Sequence, residues 1–419
     1  MNHPMLSERT PIMKQKRRII ILAILGVLLV IYAGLFAAAR YRRNAAFARL
    51  EARVERIHSA RPGGKPPKHD PEVTARWKAL KESMDSRLWD SHMSNRPDDI
   101  AAKVNANQDI FEEMCALAYE DALLSEDALF SDSPDEVVDW SFGTHATVSH
   151  CVRYLYDAAN VHTEQGRVDD AIEYMAAALD LADRADVAPS TIGHLRRLAD
   201  LRCVLLWQSS WTLADPLSRE QTMKLVEAAS AARKRHALAE AWAVETKFSL
   251  KMMSDLRKTP PECPFWDNEL EWLKEWTLWL AYANPFSTPW QDYDEGTYLI
   301  FMERLIALGE QPYYKAVPGL GTWYNDWRAL GPLNFLSQSV FSAYVAVQEP
   351  FDRSASVNID LDLFRLRLLL DLYRQENGAY PKTLDPLAGD LGGTVPVDPS
   401  TGKPYVYTPR EDYYLLSRP

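Results

Sequence analysis

The stretch HATVSHC brings His145, His150 and Cys151 within seven positions, residue types that ligate zinc or pair as base and nucleophile. Five positions along a helix turn a side chain through about 140°, so the two histidines do not face one site without a break. HExxH is absent, and Cys115, Cys151, Cys203 and Cys263 are far apart with no CxxC spacing. Free, buried thiols are therefore expected, with one or two disulfides left open by the even count. Neither GxSxG nor a Cys–Trp protease context occurs, and GxGxxG and GxxxxGK[ST] are missing. The run GLGTWYNDW near Gly319 has no strand pattern before it. Adjacent acids such as Asp169–Asp170 and Glu112–Glu113 point to different helix faces. No catalytic residue, cofactor or metal ligand is expected.

One cluster could form a ligand surface. In FWDNELEWLKEWTLWLAYANPFSTPWQDYD, Trp272, Trp276 and Trp279 fall at i, i+4, i+7, and Leu273 and Leu280 broaden the same helical face. Such a face suits a sugar, a lipid or an aromatic ligand. Core packing is the preferred reading, because no convergent set of polar residues accompanies the rings.

The elements that would carry these residues are mostly helical. The chain has 419 residues, 47% apolar and 25% charged, a globular composition long enough for two or three folded units. A formal net charge of −11, with Lys and Arg clustered only in the first 60 or so residues, excludes a general nucleic-acid binder.

Residues 19–39 read IIILAILGVLLVIYAGLFAAA, uncharged and long enough to span a bilayer as a helix. The run exceeds the apolar core of a cleavable signal, although Ala37 and Ala39 offer an A-x-A pattern. An uncleaved anchor is expected, with membrane lipid as its partner. Lys14, Lys16, Arg17 and Arg18 precede the span and Arg40, Arg42, Arg43 and Arg49 follow it, so the positive-inside count is a near tie.

The expected organisation is a basic tail over 1–18, the span over 19–39 and a helical extension with a Pro/Gly linker over 40–70. An α-helical body over 71–350 and a small α+β module over 357–419 follow. Phe47, Leu50, Val54 and Ile57 give the extension an apolar stripe, and RPGGKPPKHDP stops it. Within the body, Ile110, Met114, Leu117 and Ala118 mark a helix, and Ser218 with Gln221 has capping-box spacing. Between Leu155 and Ala185, Ala159, Gly166, Ala171 and Ala178 stand where a tetratricopeptide helix–turn–helix places its small residues. This single unit resembles that repeat, with Gly166 at the turn. The resemblance implies a helical hairpin completed by neighbouring helices, and a body that could hold a protein partner.

At the C-terminus, Leu363, Leu366, Leu369, Leu370 and Tyr373 share a helix face that Arg365, Arg367 and Arg374 leave. Asn377-Gly378 stops the helix, and Leu384 and Leu387 pack a turn. Asp398 to Gly402 has turn chemistry, ahead of strands at Tyr405–Tyr407 and Tyr413–Leu416.

The order Asn377-Gly378-x-Tyr380-Pro381, Pro396-x-Asp398-Pro399, Gly402-x-Pro404-Tyr405-x-Tyr407 and Tyr413-x-Leu415-x-Ser417 resembles the C-terminal half of the major pseudopilin of type II secretion, over about 45 residues. No prepilin-peptidase site precedes Ile19, and the family's calcium loop would follow Ser417, where this chain stops at Pro419. Pilus assembly and calcium binding are therefore not implied. The arrangement of anchor, helical body and pseudopilin-like end is similar to large membrane-anchored proteins of planctomycete-type bacteria, which implies an inner-membrane protein with an exported body.

Together these readings predict a mainly α single-pass membrane protein without enzymatic activity, acting in binding or envelope assembly. A secretion-system component is one alternative. A hydrolase or sugar-processing enzyme with a Trp-lined pocket is the other.

Overall fold

The computed structural model describes residues 9–59, 70–88, 97–120, 134–184, 191–208, 216–234, 237–258, 288–330, 334 and 347–419. It is mainly α, with one small antiparallel sheet near the C-terminus. The chain forms two compact units: Met1–Arg53, Ser249–Glu303 and Asp326–Tyr344 make one, and Val54–Phe248, Arg304–Asn325 and Val345–Pro419 the other.

Helix α1 (Arg9–Ser59) is continuous for 51 residues, the first unit holding it as far as Arg53 and the second from Val54. Its apolar part, within Ile20–Ile57, is long enough and apolar enough to cross a membrane, with a mean hydropathy of 2.9 and none of that window buried. Beyond it the exposure becomes periodic: Ala46, Leu50, Val54 and Ile57 are buried. Phe47, expected on this stripe, is exposed, and Ala46 takes its place. Helix α10 (Thr288–Gly309) comes close enough to α1 that a Cβ on Gly296 would stand 3.3 Å from the Arg43 backbone. Three of the arginines after the span turn to this helix. Arg43 Nε lies 2.5 Å from Glu295 and 3.9 Å from Asp292, Arg49 Nε donates to Glu303 at 3.0 Å, and Arg42 sits 4.4 Å over the Tyr293 ring.

The second unit continues with α2 (Pro71–Arg87), capped by Asp70, whose carboxylate accepts from the Glu72 and Val73 N–H groups. Helices α3 (Pro97–Ala106) and α4 (Gln108–Ala118) break at Asn107 and bury Ile110, Met114, Leu117 and Ala118. A hairpin of α5 (Pro134–Glu164) and α6 (Val168–Arg184) lies at the centre, and α6 packs against α4, α7 (Thr191–Gln208) and α8 (Arg219–Lys234). The hairpin turn has Schellman geometry. Gly166, at φ +72°, donates to Thr163 O at 3.1 Å, and Arg167 donates to His162 O at 2.8 Å. Ala159, Ala171 and Ala178 have no exposed surface, so the two backbones approach closely. At the start of α8 the capping box forms in both directions: Ser218 N–H donates to Gln221 Oε1 at 2.8 Å, and Gln221 N–H to Ser218 Oγ at 3.2 Å.

Helices α9 (Ala237–Lys258) and α11 (Tyr313–Arg328) precede α12 (Gln348–Asn377), which packs on α7 and α8. Val357, Leu361 and Phe364 of α12 join the helical core, while Ile359, Leu366, Leu369 and Leu370 join a second core with Leu384, Leu387, Leu391 and Tyr405. A helix lined by cores on two sides has little free face, and one expectation fails for that reason. Arg365 does not leave the fold: it is 5% exposed, with Nη1 3.5 Å from Asp362.

Gly378 caps α12 in the left-handed region, a 3-10 turn follows over Asp385–Leu387, and β1 (Val406–Pro409) pairs with β2 (Tyr414–Ser417), Val406 opposite Ser417. The strands lie about one residue later than the sequence suggested. Asp398 is a turn-former, as its position predicted, with Oδ1 accepting from Ser400 N–H at 2.6 Å. It is also fully buried, and Arg418 Nε donates to its Oδ2 at 3.1 Å.

Candidate functional site

The two buried cysteines hold little reactive potential. Cys115 and Cys151 are buried and free, and burial pushes the Cys115 thiol up to about 12 and raises that of Cys151. Cys203 is also free but exposed, unlike the buried thiol expected there, and Cys263 lies outside the described residues. Among the described residues, no three His, Cys, Asp or Glu side chains gather in a way that could hold a metal ion. His145 has no described side chain, and Trp272, Trp276 and Trp279 lie outside the described residues.

Two other places concentrate polar groups. On α5 and α7, Ser149 Oγ donates to Asp200 at 2.8 Å and accepts from Arg196 Nε at 3.1 Å. Burial pushes the carboxyls of Asp200 and Asp157 up to about 6 each, partly offset at Asp200 by the Ser149 bond and at both by Arg153. The hollow beside Asp157, lined also by Leu88, Phe111 and Tyr154, encloses only about 20 Å³, room for about one water.

The second place is a cleft in the second unit of about 390 Å³, a size suited to a small ligand. Helix α7 contributes His194, Arg197 and Leu198 at i, i+3, i+4, and the last turn of α8 contributes Arg233. The α10–α11 connection adds Gly309 to Tyr314, and α12 adds Phe351, Ser354, Ala355 and Asn358. Val397 and Pro399, just before the C-terminal turn, complete the wall. Tyr314 fixes this corner: its N–H donates to Pro399 O at 3.0 Å, and its ring lies where a Cβ on Gly402 would come within 2.8 Å.

The polar groups of the cleft differ in what they have left to give. Arg197 is 4% exposed and committed, donating from Nε to Asp183 O at 3.0 Å and Oδ1 at 2.9 Å, and from Nη2 to Ala232 O at 2.9 Å. Arg233 is more open, its side chain 29% exposed, with Nε donating to Asp362 Oδ1 at 3.1 Å. Asp362 is fully buried, and its Oδ2 accepts from Tyr405 O–H at 3.2 Å. Burial raises the Asp362 carboxyl, against the pull of Arg233 and Arg365, and burial beside Asp362 raises the Tyr405 phenol.

His194 Nε2 and Ser354 Oγ are 2.8 Å apart, a base–nucleophile distance. Ser354 lies inside α12, where the neighbouring N–H groups serve the helix ladder and do not provide the oxyanion donors that acyl transfer needs. None of the cleft's members was singled out from the sequence. The one local signal is Ser354, Asn358 and Asp362 at i, i+4, i+8, polar residues aligned along one side of the helix. Arg233 and His194 come from 129 and 160 positions away from their partners.

Compared with family models, with curated proteins and with solved structures, the chain matches none.

Proposed function

We propose that the chain is a single-pass, non-enzymatic protein of the bacterial inner membrane, whose helical body lies outside the cytoplasm and acts in binding or envelope assembly. The observation that carries this reading is α1, an apolar helix exposed through its spanning window that continues without a break into a buried stripe. The cleft of His194, Arg233 and Asn358 is the binding site of this reading.

Lys14, Lys16, Arg17 and Arg18 before the span and Arg40, Arg42, Arg43 and Arg49 after it nearly balance, so the orientation rests on the resemblance of the C-terminal end. The tetratricopeptide-like hairpin and the pseudopilin-like end support an exported, partner-binding body by resemblance alone.

Fractionation tests the anchor. The full chain is expected to stay in the membrane pellet through an alkaline carbonate wash, and a chain starting at residue 44 to appear in the soluble fraction. Release of the full chain by the wash would overturn the reading.

A further inference from the structure

We propose that the cleft takes an oxyanion, a carboxylate or a phosphate, carried by a small ligand with an apolar part. The inference rests on the reading of this cleft as the binding site. Arginine has five N–H donors in a planar fork. Arg233 uses Nε on Asp362, and among the described residues its Nη groups donate no other hydrogen bond. Because Asp362 is fully buried and also holds Tyr405 O–H, it cannot swing away, so the guanidinium is oriented before any ligand arrives.

Asp362 is shared between Arg233 and Arg365, so Arg233, the one of the two that lines the cleft, is only partly neutralised. Arg197 adds no charge, since Asp183 neutralises it. Asn358 stands one turn before Asp362, its amide without a hydrogen-bond partner among the described residues, and Ser354 stands one turn before that, bonded to His194. The helix thus presents an amide and a hydroxyl beside an arginine fork, the donor set that fits a planar or tetrahedral oxyanion. Phe351, Leu238 and Tyr314 supply apolar wall for the rest of the ligand. Glu310, also in the wall, offsets part of the positive charge there.

The test uses full-length chain in neutral detergent, with benzoate, phenyl phosphate and the uncharged benzyl alcohol as probes, followed by calorimetry. Either anion is expected to bind with salt-dependent affinity, and benzyl alcohol about tenfold more weakly or worse, as the loss of a charge-assisted hydrogen bond implies. Tighter binding of benzoate assigns a carboxylate, and tighter binding of phenyl phosphate assigns a phosphate. Arg233→Gln is expected to weaken the preferred anion about tenfold or more and Asn358→Ala several-fold, while Arg219→Gln, outside the cleft, leaves it unchanged. Equal binding of all three probes, binding of none, or unchanged binding in both Arg233→Gln and Asn358→Ala overturns the proposal. Asn358→Ala decides the matter if Arg233→Gln does not fold. These results do not bear on the anchor: anion binding can fail while the chain stays in the carbonate-washed membrane, and the reverse.

Discussion

The α5–α6 hairpin and the C-terminal end share a plan, a long helix stopped by a left-handed glycine and followed by a return, yet they cohere by different physics. At the hairpin, Gly166 turns the chain and the return helix fits because Ala159, Ala171 and Ala178 leave room for close approach. At the end, Gly378 turns the chain and the return is held by tyrosines and buried charge. Tyr380 stacks edge-on with Tyr414 at 4.9 Å, Tyr407 O–H donates to Pro381 O at 2.8 Å, and Tyr405 reaches Asp362. Shape complementarity between small residues makes a rigid pair with nothing left over. Buried ionic contacts instead fix geometry and leave donors facing a cleft.

Removing the buried acceptor breaks this difference most sharply. Asp362→Ala leaves Arg233, Arg365 and Tyr405 without their partner and is expected to cost about 3–5 kcal/mol, the range for breaking a buried ion pair from one side, read by urea unfolding in detergent. A loss well under 1 kcal/mol would mean that the end is held by apolar packing alone, like the hairpin.

The hairpin has its own weak point. Ala178→Leu forces extra methylenes between α6 and its neighbours and is expected to cost about 1–3 kcal/mol, while leaving anion binding in the cleft intact. An unchanged unfolding midpoint would show slack where close packing is claimed.

The smallest effect separates buried acids from paired ones. Asp157 and Asp200 have carboxyls raised to about 6 in the folded state. Their folded form therefore binds protons more tightly than the unfolded chain. That contribution is fully present below the ordinary Asp range near pH 4 and is lost as pH rises through 6. Asp200→Asn should flatten the fall in stability between pH 4 and 7. The same slope in the variant and the parent would remove Asp200 as its source.

What the sequence made legible follows the same division. Helices, caps and turns depend on neighbours within a few positions, so the Ser218–Gln221 box, the Gly166 and Gly378 stops and the Asp398 turn could all be read from their own residues. The burial of Arg365 could not, because it depends on a second core folding over a helix face that looks polar in isolation. The cleft was equally hidden. Its arginine, histidine and amide come from separate helices, and only the four-residue spacing of Ser354, Asn358 and Asp362 leaves a local trace. The tryptophan face at 272–279 was legible as a pattern, but its three rings lie outside the described residues.

In the proposed reading, α1 anchors a body on the outer side of the membrane. Protease added to intact spheroplasts tests it most directly, followed with an antibody against the C-terminal module. With the body outside, the module's signal is expected to disappear without permeabilisation, leaving a small membrane-protected fragment that contains the span. Persistence of the full-length chain until detergent is added would contradict it.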